Sequence, residues 1–174
     1  MRVFGVDPGL TSGVTIIDVM DDTVEVIYTD EILLEPVGFR AFNLLLSLAV
    51  QYRPDVMVIE DVVLHGPFNK DKFNQCKAFW QAYLATNTAY LCGSSPNIPV
   101  ACISPEFRKR ANLSLPALSF VKGKHARDAF AVAVAYLYQY KKELWVRLRR
   151  GITQTEAERT GGAPEVFTTG PRAK

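Results

Sequence analysis

The chain has 174 residues, 48% of them hydrophobic and 22% charged, with a formal net charge of +2. This length and composition suit one globular domain with a single core and exclude a two-domain protein. No apolar run approaches the ~18 residues that a membrane span requires. The charge is unevenly distributed: residues 1–64 hold three basic and eleven acidic residues, whereas residues 105–150 hold eleven basic and three acidic residues. Polyanion-binding enzymes with an acidic metal site have such an asymmetry, but ordinary solvated helix faces produce it too.

The first predicted strand, Arg2 to Asp7, ends in a carboxylate beside glycines. The stretch from Pro8 to Gly13 then breaks the apolar run as a hairpin turn does, before predicted strands from Val14 to Val19 and from Val24 to Ile32. Because glycines let a phosphate or a metal approach the backbone closely, Asp7 is a candidate site residue. An Asp that merely opens a tight turn is the alternative.

A first helix is predicted from Pro36 until Arg53-Pro54 ends its helical spacing of apolar residues. The next stretch, Asp55 to Glu60, is a short apolar run typical of a strand covered on both faces, and it too ends in an acid. If this strand is parallel to the first, Asp7 and Glu60 emerge at the same carboxyl edge, where α/β sheets place their sites. Asp61 is a weaker candidate, because adjacent residues of a strand point to opposite faces.

A second helix, predicted from Lys70 to Ala89, carries two stripes of side chains. The apolar stripe, which we expect to be buried, consists of Phe73, Cys76, Trp80, Tyr83 and Leu84. The polar stripe consists of Lys70, Asn74, Lys77 and Gln81. Cations and amides suit phosphate and base contacts, which makes the polar stripe a candidate nucleic-acid surface. A plain solvated face explains it equally well.

A fifth strand, Val100 to Ile103, is flanked by two predicted basic loops. These loops hold the candidate nucleic-acid-binding residues Arg108, Lys109, Arg110, Lys122 and Lys124. The last helix begins near His125, and its apolar run predicts deep packing. Its first turn places His125 and Asp128 at i and i+3, so both face the same way. A structural His and an Asp that stabilises the helix dipole are the simpler explanation of that pair.

Residues 1–150 are predicted to form the domain, and residues 151–174, polar and rich in Gly and Pro, a flexible tail. The N-terminus lacks the pattern of a signal peptide, and the three cysteines lack metal-ligand spacing. We therefore expect a cytoplasmic protein with no disulfide framework, no zinc site and no membrane contact.

Three motifs, in this order, resemble those of RuvC-type Holliday-junction resolvases of the ribonuclease H-like superfamily. They are GVDPGLTSGV around Asp7, VMVIEDV around Glu60 and KHARDAFAVAVAY around His125 and Asp128. The resemblance implies an α/β fold in which a mixed five-stranded sheet, a three-stranded antiparallel meander plus two parallel strands, is flanked by helices. It also implies a Mg²⁺-dependent endonuclease that acts as a homodimer on branched DNA. His125 stands where many members carry an acid, which leaves its role open.

The chemistry has its own rationale. Phosphodiester hydrolysis needs an activated water and a neutralised phosphate, which two Mg²⁺ ions ~3.5–4 Å apart can supply together, and hard oxygen ligands suit Mg²⁺. We predict that Asp7 bridges both ions, that Glu60 and Asp128 each hold one, and that His125 is a ligand or orients water. Mn²⁺ is expected to substitute.

Two other functions stay open at the level of sequence. A ribonuclease H-like nuclease that acts on RNA or on an RNA–DNA hybrid is the main alternative, because the metal ligands do not determine which base or sugar the enzyme prefers. A non-catalytic nucleic-acid-binding module is the other. The preferred cleavage sequence and any branch-migration partner are likewise not predicted.

Overall fold

The structure, a computed structural model, describes residues 1–34, 39–62, 67–91, 98–110 and 116–149. The strands are β1 (Arg2–Asp7), β2 (Thr11–Val19), β3 (Val24–Leu33), β4 (Val56–Glu60) and β5 (Val100–Ile103). The helices are α1 (Arg40–Tyr52), α2 (Lys70–Leu91), α3 (Pro105–Arg110) and α4 (Lys124–Tyr140), with a 3-10 turn at Pro116–Phe120. Among these residues, no helix combines the length and apolarity needed to cross a membrane. The predicted tail, 151–174, lies outside the described residues.

The five strands form one mixed sheet in the order β3-β2-β1-β4-β5. Strands β1, β2 and β3 pair antiparallel, as the predicted meander requires. Strand β4 is parallel to β1, and β5 is parallel to β4. Val6 pairs with Ile59, so Asp7 and Glu60 follow directly at the same edge of the sheet. The predicted mixed five-stranded sheet is confirmed.

Helices cover both faces of this sheet. Helix α4 packs on β1 and β2 over one apolar core, and α1 and α2 pack over a second core on the opposite face. All of β4 is buried, as its unbroken apolar run predicts for a strand covered on both sides. A helix over residues 142–149, which the sequence analysis did not predict, adds Trp145 and Leu148 to the core beside α4.

The prediction of which side of α2 is buried is wrong. Phe73 and Trp80 are each 56% exposed, and Leu84 is 52% exposed. The buried residues of α2 are instead Asn74, Ala78, Ala82, Ala85, Thr86 and Ala89. Alanines let a helix approach its neighbours closely, whereas large aromatic side chains would hold α2 away from α1 and β4. Ranking residues by hydrophobicity alone therefore selected the wrong stripe.

The stretch predicted as the first basic loop is mostly helical. Pro105 occupies the first turn of α3, where its missing N–H costs nothing. The backbone N–H groups of Phe107 and Arg108 both donate to the carbonyl of Ser104, at 3.0 and 3.2 Å. Arg108 is thereby held on a short rigid element next to the end of β5.

Helix α4 approaches the sheet so closely that two strand positions have no room for a side chain. A Cβ on Gly13 would overlap the carbonyl group of His125, and a Cβ on Gly5 would overlap the carbonyl oxygen of Ala129. Gly13 is also the register partner of Asp7. The absence of a side chain at Gly13 therefore lets the first turn of α4 lie beside Asp7.

We expect Gly13→Ala to destabilise the protein by about 2 kcal/mol or more, because the added methyl group must displace backbone rather than a flexible side chain. Urea denaturation measures the change. Gly9→Ala is the matched control, since its methyl group would meet the carbonyl oxygen of Thr11 at 3.1 Å, a contact that a small shift relieves. Equal midpoints for wild type and Gly13→Ala would contradict the close packing of α4 on β2.

Candidate active site

Four predicted site residues converge at the carboxyl edge of the parallel strands. Asp7 ends β1 and Glu60 ends β4, while His125 lies in the first turn of α4 and Asp128 begins the next turn. The ligand atoms of Asp7, His125 and Asp128 all lie within 4.8 Å of one another. His125 Nδ1 is 3.1 Å from Asp7 Oδ2. The fold thus brings together three motifs that are more than 50 residues apart along the chain.

Glu60 is the most buried of these groups, with 9% of its side chain exposed. Burial raises the pKa of Glu60 to about 8, a hydrogen bond with Asp7 adds to the rise, and the Arg108 guanidinium opposes it. The physical cause is that a carboxylate loses its hydration in this position and faces two further carboxylates, Asp7 and Asp128. Without a cation, Glu60 therefore keeps its proton at neutral pH.

Arg108 extends into the middle of this acidic group. Its Nε is 3.3 Å from Glu60 Oε1, and its Nη1 is 3.1 Å from Asp128 Oδ1. Arg108 is one of the nucleic-acid-binding residues predicted from the sequence, where no pattern pairs it with either acid. The structure shows one guanidinium bridging the acids contributed by β4 and α4.

A cavity of about 390 Å³ opens over these groups. Its charged and polar lining consists of Asp7, Glu60, Asp61, Gln75, Arg108, Lys109, Lys124, His125 and Asp128. Acids from the two strand ends and from α4 thus share the cavity with cations from α3 and α4. Gln75 lines the same cavity from α2.

Glu31, a residue that the sequence analysis did not single out, caps the N-terminus of α4. Its Oε1 accepts hydrogen bonds from the backbone N–H groups of His125 at 2.7 Å and Ala126 at 3.4 Å. The residue before α4 is Gly123, whose φ of 91° favours glycine. A Cβ there would lie 2.5 Å from Glu31 Oε1. A carboxylate from β3 thus fixes the turn that carries His125. Its negative charge interacts favourably with the positive N-terminal end of the α4 dipole.

The remaining predicted nucleic-acid-binding residues have different surroundings. Lys70 and Lys122 are exposed, Lys77 and Gln81 are half-buried, and Asn74 is buried. The polar stripe of α2 is therefore not one solvent-facing surface as predicted, because Asn74 belongs to the alanine-lined side of the helix. The side chain of Arg110 lies outside the described residues.

The donor set fits a hard divalent cation. Three carboxylates and one imidazole meet at the cavity, and three of the four offer ligand atoms within 4.8 Å of one another. Carboxylate oxygens are preferred ligands of Mg²⁺. The raised pKa of Glu60 points the same way, since a buried cluster of acids holds its negative charge only when a cation compensates it.

Solved structures share this architecture at low sequence identity. RuvC from Thermus thermophilus in complex with a Holliday junction substrate has a TM-score of 0.65 and 18% identity over 82% of this chain and 96% of its own. Fowlpox virus resolvase in complex with Holliday junction DNA has a TM-score of 0.51 and 16% identity, and the match covers 78% of this chain and 98% of the resolvase. The yeast mitochondrial Holliday junction resolvase Ydc2 has a TM-score of 0.51 and 12% identity, and the match covers 92% of this chain and 85% of Ydc2. No protein-family model and no curated protein matches the chain.

These likenesses define the fold as ribonuclease H-like. Solved Holliday-junction resolvases share this fold, among them RuvC, whose family the three motifs resemble.

Proposed function

We propose that the protein is a metal-dependent, structure-selective endonuclease that resolves four-way DNA junctions. The observation that carries this proposal is the convergence of Asp7, Glu60, His125 and Asp128 at one sheet edge, in a fold that solved Holliday-junction resolvases also have. The lysines around the same cavity support a polyanionic substrate.

The four residues would hold Mg²⁺, with Mn²⁺ as a substitute. A metal held by these residues would supply two things, an activated attacking water and neutralisation of charge on the phosphate. Asp7 would be the central ligand, because it contacts His125 on one side and shares a hydrogen bond with Glu60 on the other. A neutral His125 that donates from Nδ1 to Asp7 leaves Nε2 as an acceptor, which can ligate a cation or hold a water molecule.

Lys109 and Lys124 are exposed and line the cavity. In the proposed complex they contact phosphates of the DNA backbone, while the exposed Lys70 and Lys122 extend the basic surface. Such contacts release counterions, so junction affinity should fall steeply with salt. They position the backbone and read no bases.

A cleavage assay on four substrates tests the proposed function. A synthetic four-way junction, a fork, a linear duplex and an RNA–DNA hybrid are each incubated with Mg²⁺ or with EDTA. We expect cleavage that depends on Mg²⁺ and is fastest on the junction. Preferred cleavage of the hybrid would replace the proposal with a ribonuclease H-like activity, and binding without cleavage of any substrate would indicate a non-catalytic binding module.

Resolution needs two cuts related by a two-fold axis, and we propose that a homodimer supplies them. The exposed residues of one α2 stripe, which we call the α2 seam, support this. The seam consists of Phe73, Trp80, Leu84 and Leu91, which are 56%, 56%, 52% and 80% exposed. Their spacings of seven, four and seven residues place them along one line of the helix. An apolar stripe of this kind suits a second copy of the same helix.

We expect Trp80→Glu to weaken self-association by at least about 100-fold, because both copies then bury an unpaired charge at an aromatic contact. Analytical ultracentrifugation over a concentration series measures the dissociation constant. Met20→Glu is the matched control, since Met20 is 51% exposed in the turn between β2 and β3. A wild-type protein that is monomeric alone and also on junction DNA would exclude the dimer.

A further inference from the structure

The guanidinium of Arg108 lies where a cation is needed. It contacts Glu60 at 3.3 Å and Asp128 at 3.1 Å, and only 22% of the side chain is exposed. We propose that Arg108 is a built-in competitor for the metal site, which holds Glu60 and Asp128 in the metal-free protein and must release them when a divalent cation binds. This inference rests on the proposed function, because it assumes that these acids are metal ligands.

Competition follows from the closeness of the two positive charges that would share these acids. Arg108 Nε is directed at one oxygen of Glu60, and Nη1 at one oxygen of Asp128. A divalent cation placed among Asp7, His125 and Asp128 would lie close to the guanidinium, and two positive charges a few ångströms apart repel strongly in a partly buried site. Arg108 and the metal therefore cannot both use these acids as they are arranged.

Arg108 would also keep these acids together in the absence of metal. Without Arg108, the carboxyl groups of Glu60 and Asp128 would lose the donor that they share across the cavity. A planar guanidinium has several donors in a fixed geometry, so one side chain can hold carboxylates from β4 and α4 together. One positive charge bridges the acids in the metal-free protein, and the more strongly charged metal replaces it.

Only the side chain of Arg108 has to move. Its backbone N–H is bonded to the Ser104 carbonyl, and the neighbouring Phe107 packs against the core and against the ring of Tyr138. Helix α3 is therefore anchored to the end of β5. Lys109, on the same helix, is exposed and lines the same cavity, which makes it the matched control for removing one positive charge.

The test is direct binding of Mn²⁺ to the full chain without DNA. Wild type, Arg108→Ala, Arg108→Lys and Lys109→Ala are compared at one pH and salt concentration, with free Mn²⁺ measured by electron paramagnetic resonance. We expect Arg108→Ala to bind Mn²⁺ at least about 10-fold more tightly than wild type, which corresponds to about 1.4 kcal/mol. Arg108→Lys should lie between the two, because an ammonium group cannot bridge both acids in the same way. Lys109→Ala should change the affinity by less than about 3-fold, because exposed charges interact weakly.

A second measurement separates competition from a general loss of charge. In EDTA, Arg108→Ala should unfold at a lower urea concentration than wild type, because it leaves the acids unbridged, and saturating Mn²⁺ should remove that difference. Equal gains in Mn²⁺ affinity for Arg108→Ala and Lys109→Ala would overturn the competition while leaving the proposed nuclease intact. Failure of every variant to bind Mn²⁺ would overturn both.

Discussion

Replacing Asp7 with asparagine should reduce junction cleavage by at least about 1,000-fold, which corresponds to about 4 kcal/mol of lost transition-state stabilisation. Asparagine keeps the size of the side chain and one oxygen but loses the negative charge that the proposed bridging role requires. Asp7 also contacts His125 Nδ1 at 3.1 Å and shares a hydrogen bond with Glu60. The substitution therefore disturbs two other proposed ligands at once.

Junction binding should survive the same substitution. The affinity of the proposed complex depends on lysines such as Lys109 and Lys124, and loss of one acid from the cavity reduces repulsion of the phosphates. Single-turnover cleavage and gel-shift titration on the same junction separate the two effects. Asp61→Asn removes one charge from the same cavity and should cost far less cleavage, because Asp61 is exposed. Comparable losses in Asp7→Asn and Asp61→Asn would attribute the effect to cavity charge in general and remove Asp7 from its role.

Much of the fold and the strand-end half of the site follow from local patterns. The apolar run that ends at Glu60 indicates a strand covered on both faces, and a parallel neighbour then places Asp7 and Glu60 at one edge of the sheet. The helical spacing of His125 and Asp128 likewise fixes their common direction. The strand ends and the helical spacing depend on residues that are adjacent or one turn apart, whereas the meeting of Asp7 and Glu60 also needs the parallel pairing of β1 with β4.

Other features depend on contacts that no local pattern encodes. Glu31 caps α4 across 94 residues of chain, and nothing around Glu31 distinguishes it from the other acids of β3. Arg108 bridges Glu60 and Asp128 because α3 begins directly after β5, whereas the sequence suggested a loop there. The buried side of α2 was misassigned because its packing depends on how closely the helix approaches α1, which favours alanines such as Ala82 over aromatic side chains.

The proton on Glu60 should make both metal binding and stability depend on pH. The pKa of this carboxyl is raised from 4.5 to about 8 by burial and by its hydrogen bond with Asp7. In the unfolded chain Glu60 ionises above about pH 4.5, whereas in the folded, metal-free protein it keeps its proton until about pH 8. The folded state therefore binds one more proton than the unfolded state between these values, so the free energy of unfolding falls as pH rises through that window.

Cation binding should show the opposite dependence on pH. Glu60 must lose its proton before it can ligate a cation, so below about pH 8 Mg²⁺ affinity should drop by roughly tenfold per pH unit, or about 100-fold over two units. Near about pH 7, binding should release close to one proton per site from this group. Calorimetric titrations with Mg²⁺ in buffers of different ionisation enthalpy measure that release.

Glu60→Gln is the matched control, because glutamine has the shape of the protonated acid and carries no titratable proton. Subtracting its proton release isolates the contribution of Glu60, and identical release by wild type and Glu60→Gln would show that Glu60 is already ionised or does not bind the metal.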